Sequence, residues 1–93
     1  MFLARSSVQA IEQVIQNVIS LNLRVGIEKS LDAKLDAASR ALTDVNQNNN
    51  VAAINSLQAF IGAVEAQRGK LISVADADAL IAAVQAIIAQ LAA

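Results

Sequence analysis

The chain has 93 residues and a formal net charge of −1, with seven basic and eight acidic side chains. A chain of this length is expected to form one domain, over residues 1–93, and to bury only about 60–65% of its unfolded surface. Cys and His are absent, which excludes disulfides, thiol nucleophiles, thiolate metal sites and histidine general bases. No cofactor is expected.

Hydrophobic residues make up 56% of the chain, although only Phe2 and Phe60 are aromatic. The core must therefore consist of Leu, Ile, Val and Ala, which pack helices closely. Pro is absent and Gly occurs three times, and both residues are unfavourable inside helices. Apolar and polar residues never alternate strictly over a long run. These features predict an all-α fold, a compact antiparallel bundle of four helices at about 7–22, 26–46, 50–68 and 74–92.

The basic residues are scattered along the chain, at Arg5, Arg24, Lys29, Lys34, Arg40, Arg68 and Lys70. Nucleic-acid binding usually needs a clustered positive surface, so no nucleic-acid partner is expected. The longest charge-free stretch, residues 45–64, contains many Asn and Gln residues, and the apolar tail of residues 79–93 is too short for a bilayer. We therefore expect that the chain does not span a membrane.

The first helix is expected to begin near Ser6 or Ser7, because either hydroxyl could accept a hydrogen bond from an N-terminal backbone N–H. Four apolar residues with the spacing of one helical face follow, at Val8, Ile11, Ile15 and Val18. Asn22 suits the end of this helix, since Asn tolerates the left-handed conformation.

The second helix has the most regular apolar seam, at Ile27, Leu31, Leu35, Ala38, Leu42 and Val45. Alternating spacings of three and four are typical of an antiparallel bundle. Asp36 and Arg40 form an i, i+4 pair on the outer side, worth about 0.2–0.5 kcal/mol. The polar run of residues 46–50 predicts a turn, with Asn50 as the N-cap of the third helix. A low-complexity recognition loop is the alternative for this run.

The third helix is expected to bury one face, at Val51, Ile54, Leu57, Ile61 and Val64, with Phe60 beside it. Gly62 lies in its interior, where Gly costs about 1 kcal/mol relative to Ala. Close approach of a neighbouring backbone would explain this glycine. Gly69 is predicted to follow the helix end, where the basic Arg68 suits the helix dipole.

The fourth helix has a strong start signal, because Ser73 is followed three residues later by Asp76. Its apolar stripe is Leu80, Val84, Ile87 and Leu91, with Ile81 and Ile88 beside it. Beyond the first turn only Gln85 and Gln90 are polar. This helix is therefore predicted to be the most buried of the four, or to contact a second chain.

Two pairs of carboxylates could in principle bind a cation. Asp32 and Asp36 lie one turn apart, but they alternate with the apolar seam and are expected to face solvent. Asp76 and Asp78 resemble the start of a calcium loop, but the glycine and the distal glutamate of an EF-hand are missing. A role at the helix start is the simpler interpretation, and no metal ligands are predicted.

Ser30, Lys34 and Ser39 place two hydroxyls and an amine on one helix. A serine–lysine nucleophile would also need a desolvated lysine and an oxyanion hole, and nothing in the sequence indicates either. Lys34 is expected to lie along the rim of the seam. Asn55 and Gln58 are expected to hydrogen-bond a neighbouring helix end. The chain is therefore predicted not to be an enzyme, with no catalytic and no cofactor-binding residues.

The chain resembles the FIMAH domain, a small helical domain at the C-termini of bacterial secreted and cell-surface proteins. The matching residues are Gly26, Ile27, Ser30, Leu31, Lys34, Leu35, Ala38, Leu42, Ala53, Ile54, Asn55, Leu57, Ala59, Phe60, Ile61, Val64, Gln67, Gly69, Lys70, Ile72, Ala79, Leu80, Ile81 and Ile87. The family-like core spans residues 24–92, and its most specific part is 53–72. Residues 7–21 also look like the leading segment of the family, whereas Gly62 stands where a polar residue is expected.

The resemblance implies a non-catalytic accessory domain that helps a larger protein attach to a surface polymer or a protein partner. It implies an extracellular or cell-surface location, whereas a complete gene product would be cytoplasmic. Lys34, Asn55, Phe60 and Lys70 would then be fold determinants. Two other hypotheses remain: a structural protein that self-assembles through its apolar first and fourth helices, and an enzyme subunit or small-molecule binder with a cavity between helices.

Overall fold

Four α-helices account for most of the chain. The computed structural model describes residues 3–43 and 50–92, with side chains from residue 7 onward. The helices are α1 (Leu3–Ser20), α2 (Val25–Thr43), α3 (Asn50–Gln67) and α4 (Val74–Ala92). The predicted all-α fold is confirmed, since the described ranges contain no strand beyond one isolated bridge between Arg68 and Ile72.

The helices form a square bundle in which each one packs against two neighbours and none packs across the diagonal. The N-terminal part of α1 meets the last turn of α4, where Ser7 contacts Gln90. The start of α3 also meets the end of α4, where Asn50 contacts Leu91. Neighbouring helices are therefore antiparallel, and the α1–α2 and α3–α4 turns lie at the same end of a bundle that measures 38 × 22 × 20 Å.

Both turns depend on a residue in the left-handed conformation, as predicted. Asn22 has φ 54° at the end of α1, and Gly69 has φ 75° after α3. The Gly69 N–H donates to the carbonyl of Ile72 at 2.8 Å, which closes the second turn. Ser73 then caps α4, because its hydroxyl accepts a hydrogen bond from the Asp76 N–H at 3.1 Å.

The start of α1 differs from the prediction. The helix begins at Leu3 rather than near Ser6 or Ser7, so both serines lie inside it and neither is an N-cap. The Ser7 side chain is fully buried and its hydroxyl donates to Gln90 Oε1 at 3.0 Å. The Ser7 hydroxyl was expected to bond a backbone N–H of its own helix, and it bonds a side chain of α4 instead.

At the start of α3, too, a predicted capping residue bonds another helix. Asn50 is already helical, and its side-chain amide donates to the backbone carbonyl of Leu91 at 3.3 Å instead of capping its own helix. The rest of the polar run, residues 46–49, and the predicted last turn of the second helix lie outside the described residues.

The core consists of one buried stripe from each helix, together with Ile72 from the second turn. The seam of α2 and the stripe of α4 match the prediction. On α1 and α3 the stripe is turned about the helix axis, so that Val14 is buried where Ile15 was expected, and Phe60 is fully buried rather than beside the stripe. Val51, expected in the core, is 69% exposed at the start of α3. A helix between two neighbours buries the arc that faces both, and sequence spacing alone does not fix the centre of that arc.

The expectation of close packing at Gly62 is wrong. Gly62 is exposed, and apart from its chain neighbours and its own helix backbone no heavy atom lies within 4 Å of the position that a Cβ would occupy. The helix α4 has five buried side chains, Ala77, Leu80, Val84, Ile87 and Leu91, against four described for each of the other helices, and they occupy one inward arc. Its outward side is exposed and consists mainly of alanine.

Candidate functional site

The acidic pair on α2 does not form a shared site. Asp36 is exposed and makes the predicted i, i+4 ion pair with Arg40, with 3.0 Å between Oδ2 and Nη2. Asp32 is half-buried rather than solvent-facing, and its Oδ1 is shielded from water without a hydrogen-bond partner among the described residues. Burial, and then the nearby charge of Glu28, raises the pKa of Asp32 above its ordinary value.

The acidic pair on α4 is also divided between two roles. The backbone N–H of Asp76 donates to the Ser73 hydroxyl at the start of the helix. The Asp78 carboxylate instead accepts two hydrogen bonds from Arg68, at 2.7 Å from Nε and 3.1 Å from Nη2. The hydrogen bond from Arg68 lowers the pKa of Asp78 below its ordinary value. Asp78 therefore links the end of α3 to α4, instead of serving only the start of its own helix.

The Ser30–Lys34 pair lies at the exposed surface of α2, where the Lys34 ammonium donates to Ser30 Oγ at 3.0 Å. Ser30 borders a groove of about 260 Å³ between α2 and α3, whose other lining residues are Gly26, Ile27, Leu31, Ala63, Ala66 and Gln67. The lining contains no acidic side chain and no general base that could activate a nucleophile. The pair has the geometry of a surface contact.

Asn55 and Gln58 are exposed on α3, and neither side chain forms a hydrogen bond within the described part of the chain. The prediction that they reach a helix end is wrong, since Asn50 and Gln90 make the interhelical contacts. Among the residues expected to be fold determinants, Phe60 is fully buried, whereas the side chains of Asn55 and Lys70 are exposed. Within residues 3–43 and 50–92, no three acidic side chains come close enough to hold a metal ion.

A more distinctive feature is a groove between α1 and α4, with a volume of about 340 Å³. Its floor is apolar and its rim carries three amides, and the lining residues are Ala10, Gln13, Val14, Asn17, Ala83, Ala86, Ile87 and Gln90. The exposed alanines Ala79 and Ala82, one turn before Ala83 and Ala86, continue this surface along α4. We call these two sets together the α1–α4 face. Apolar clefts rimmed by a few polar groups are typical of contact and ligand sites.

The sequence predicted the apolar character of α4 and two explanations for it, burial in the bundle or contact with a second chain. Over its 19 residues α4 has a mean hydropathy of 1.6, and it is the one described helix long and apolar enough to cross a membrane. Core helices of soluble bundles meet the same criterion, so length and hydropathy alone do not show that α4 spans a membrane. Only 28% of that stretch is buried in the bundle. The stretch is nevertheless apolar, because alanine stands at most of the exposed positions where a surface helix usually has charged residues.

The fold and the site together define a class: a small antiparallel helical domain whose prominent surface is an uncharged groove. A family model describes the chain more specifically, since the FIMAH domain model matches residues 9–89. This chain therefore belongs to the FIMAH family, and the match includes α1, which lies outside the predicted core of 24–92. No curated protein and no solved structure matches the chain. Membership in this family associates the chain with small accessory domains of surface proteins.

Proposed function

We propose that this chain is a non-catalytic accessory domain of a bacterial extracellular or cell-surface protein, which acts by binding a protein or a surface polymer. The observation that carries the proposal is the family match over residues 9–89. The association of this family with cell-surface proteins supports the location. The whole sequence lacks His and Cys, which supports a role in contact rather than in catalysis.

The α1–α4 face is the surface that suits such a role. The Gln13 amide donates to Asn17 Oδ1 at 3.3 Å and Gln90 Oε1 accepts from Ser7 at 3.0 Å. Each amide has two N–H groups and two acceptor positions, so all three keep further hydrogen-bonding capacity for backbone groups or sugar hydroxyls. The apolar floor at Val14 and Ile87 would gain from being removed from water. Both features fit a binding surface that needs no cofactor.

A fluorescent fusion of the chain, incubated with intact cells of the source organism and with their isolated wall polymer, tests this proposal. The fusion should be retained on at least one of them. The double variant Gln13→Ala, Asn17→Ala should weaken retention roughly tenfold, equivalent to about 1.4 kcal/mol. The matched control is Asn55→Ala, Gln58→Ala, which removes the same two side-chain types from an exposed part of α3.

Equal effects of the two double variants would contradict the assignment of the surface. Retention no greater than that of the fluorescent protein alone would contradict attachment itself. The location has its own test, because antibodies against the chain should label intact source cells. Labelling that requires permeabilised cells would contradict the extracellular assignment.

A further inference from the structure

Large exposed hydrophobic side chains are concentrated at one end of the bundle, which is formed by residues 19–25 and 68–74 and which we call the turn end. Four of the five such side chains among the described residues lie there, at Ile19, Val25, Leu71 and Val74. The fifth, Val51, lies at the opposite end. Single apolar residues scattered over a surface are ordinary, whereas a cluster of them marks a contact site.

The turn end also carries positive charge. It contains three basic residues, Arg24, Arg68 and Lys70, and no acidic one. Arg68 is paired with Asp78, whereas Arg24 and Lys70 are exposed and form no side-chain ion pair with any described residue. The turn end thus combines exposed aliphatic side chains with two unpaired cations.

The nearest unpaired acidic residues are set back from the turns. Glu28, Glu65 and Asp76 lie two or three residues from the ends of their helices. At 1.5 Å per residue, this distance places their backbone about 3–5 Å behind the helix ends. The carboxylates thus stand behind Arg24 and Lys70 along the axis of the bundle.

The turn end is also the end without chain termini. The first and last described residues, Leu3 and Ala92, are at the opposite end, where Ser7 of α1 contacts Gln90 of α4. A domain joined through either terminus would be attached at the far side of a bundle that is 38 Å long. Such a connection does not place another domain against the turn end.

We propose that the turn end inserts its aliphatic side chains into the surface of an anionic phospholipid bilayer, with the long axis of the bundle pointing away from the membrane. This is a second binding surface, separate from the α1–α4 face and from the proposed function. A bilayer has the same order of layers as this end of the bundle. Aliphatic side chains enter the hydrocarbon boundary, Arg24 and Lys70 reach lipid phosphates, and the carboxylates stay toward water.

A protein partner fits the turn end less well. The cross-section of the bundle is 22 × 20 Å, so the end offers at most about 440 Å², roughly half of the area that each partner buries in a standard protein interface. Its exposed apolar residues are all aliphatic, whereas protein interfaces are enriched in aromatic residues. A dimer joined end to end would bring Arg24 and Lys70 of both copies together.

Co-sedimentation with lipid vesicles tests the proposal. Vesicles of equal parts phosphatidylglycerol and phosphatidylcholine should sediment about fivefold more of the chain than vesicles of phosphatidylcholine alone. Val25→Glu should reduce sedimentation with the mixed vesicles about fivefold, because it places a carboxylate at the inserted end. Val51→Glu should leave it unchanged. The two variants are matched, since both valines stand in the first turn of a helix and are 66% and 69% exposed.

A second pair of variants tests the basic residues. Arg24→Gln, Lys70→Gln should lower sedimentation with the mixed vesicles about tenfold, because both cations lie at the lipid phosphates. Lys34→Gln, Arg40→Gln changes the net charge equally on the side of α2 and should have little effect. Equal losses in the two double variants would overturn the proposal.

An introduced tryptophan locates the inserted end, because the chain has no Trp or Tyr of its own. Emission from Leu71→Trp should move to shorter wavelength with the mixed vesicles and be quenched by brominated lipid, whereas Val51→Trp should show neither change. Equal changes at both positions would overturn the proposed orientation. If Val25→Glu does not fold, this experiment still decides the matter, because Leu71 is exposed and lies outside the helices.

The remaining outcomes separate this inference from other partners and from the proposed function. Equal sedimentation with the two kinds of vesicle would overturn the inference. Binding to soluble polyglutamate but not to the mixed vesicles would also overturn it and would indicate an acidic protein partner. The vesicles contain neither cells nor wall polymer, so their failure to bind leaves the proposed function standing. A chain that binds the vesicles but is not retained on cells or wall polymer supports this inference and contradicts the proposed function.

Discussion

Asp32 and Asp78 are two carboxylates whose surroundings act in opposite directions. Burial and Glu28 raise the pKa of Asp32, so its ionised form is less favourable in the folded state than in the unfolded one. The hydrogen bonds from Arg68 lower the pKa of Asp78, so its ionised form favours folding. Their contributions to stability must therefore depend on pH with opposite signs.

Asp32→Asn should raise the free energy of unfolding at about pH 7, because it removes a negative charge that is partly buried and close to Glu28. A raised folded pKa means that this penalty develops as pH rises above the ordinary value of 3.8 and disappears below it. Urea unfolding at about pH 7 and about pH 3 should show the advantage of the variant shrinking in acid. An advantage independent of pH would contradict the electrostatic explanation.

Asp78→Asn is the matched contrast and should be less stable than the parent chain near neutral pH. The contribution of Asp78 is present above the unfolded value of 3.8 and is lost as pH falls through the lower folded pKa. Its deficit in urea unfolding should therefore shrink in acid. A deficit that grows in acid would show that the Arg68 contact does not stabilise the fold.

The glycines give a prediction about the backbone alone. Gly62 is exposed inside α3 and has open space where a Cβ would stand, so Gly62→Ala should stabilise the protein by about 0.5–1 kcal/mol. Gly69→Ala should instead cost about 1–2 kcal/mol, because Gly69 has φ 75°. Thermal and urea unfolding measure both. Destabilisation by Gly62→Ala would contradict the open space found around the Cβ position of Gly62.

At the scale of the element, the C-terminal end of α4 is held from both sides. Ser7 of α1 donates to Gln90 at 3.0 Å, and Asn50 of α3 donates to the Leu91 carbonyl at 3.3 Å. The last carbonyls of a helix have no partner within the helix itself. These two contacts therefore anchor an end that would otherwise fray.

Ser7→Ala should weaken this anchor, at a cost of about 0.5–1.5 kcal/mol for the lost hydrogen bond. Hydrogen exchange of the last-turn amides of α4 should become faster relative to those in its middle. Gln85→Ala is the control, since Gln85 is exposed on the same helix and makes no interhelical hydrogen bond among the described residues. Equal changes in the two variants would argue against an anchoring role for Ser7.

At the scale of the whole molecule, one continuous core holds four helices together. Phe60 is the largest fully buried side chain and belongs to a core cluster with members on all four helices. A domain of this length is expected to be stable by roughly 5–14 kcal/mol. The free energy lost with one large core side chain is therefore a substantial part of the total free energy of unfolding.

Phe60→Ala should cost about 3–5 kcal/mol, through lost burial and the cavity left behind. Val51→Ala should cost far less, because Val51 is 69% exposed on the same helix. Urea unfolding followed by circular dichroism gives both values. A small effect at Phe60 would mean that the core rearranges to fill the space.

The features that the sequence predicted correctly are local. The left-handed Asn22 and Gly69, the Ser73 cap and the Asp36–Arg40 pair each involve residues within four positions of one another, so backbone preferences and helical spacing are sufficient. The buried seam of α2 was predictable for the same reason, because its period is that of the helix. Family membership was also readable from the sequence.

The features that depend on a neighbouring helix were not predictable. Ser7 and Asn50 have the chemistry of helix caps, and only the position of α4 makes them interhelical donors. Likewise, α4 is apolar on nearly all sides, yet the bundle buries one arc and leaves most of its alanines exposed. Four helices, their turns and a fourth helix without charge after Asp78 follow from local sequence patterns alone. Which side of that helix faces out follows only from the packed bundle, because burial depends on where the two neighbouring helices lie and not on hydrophobicity alone.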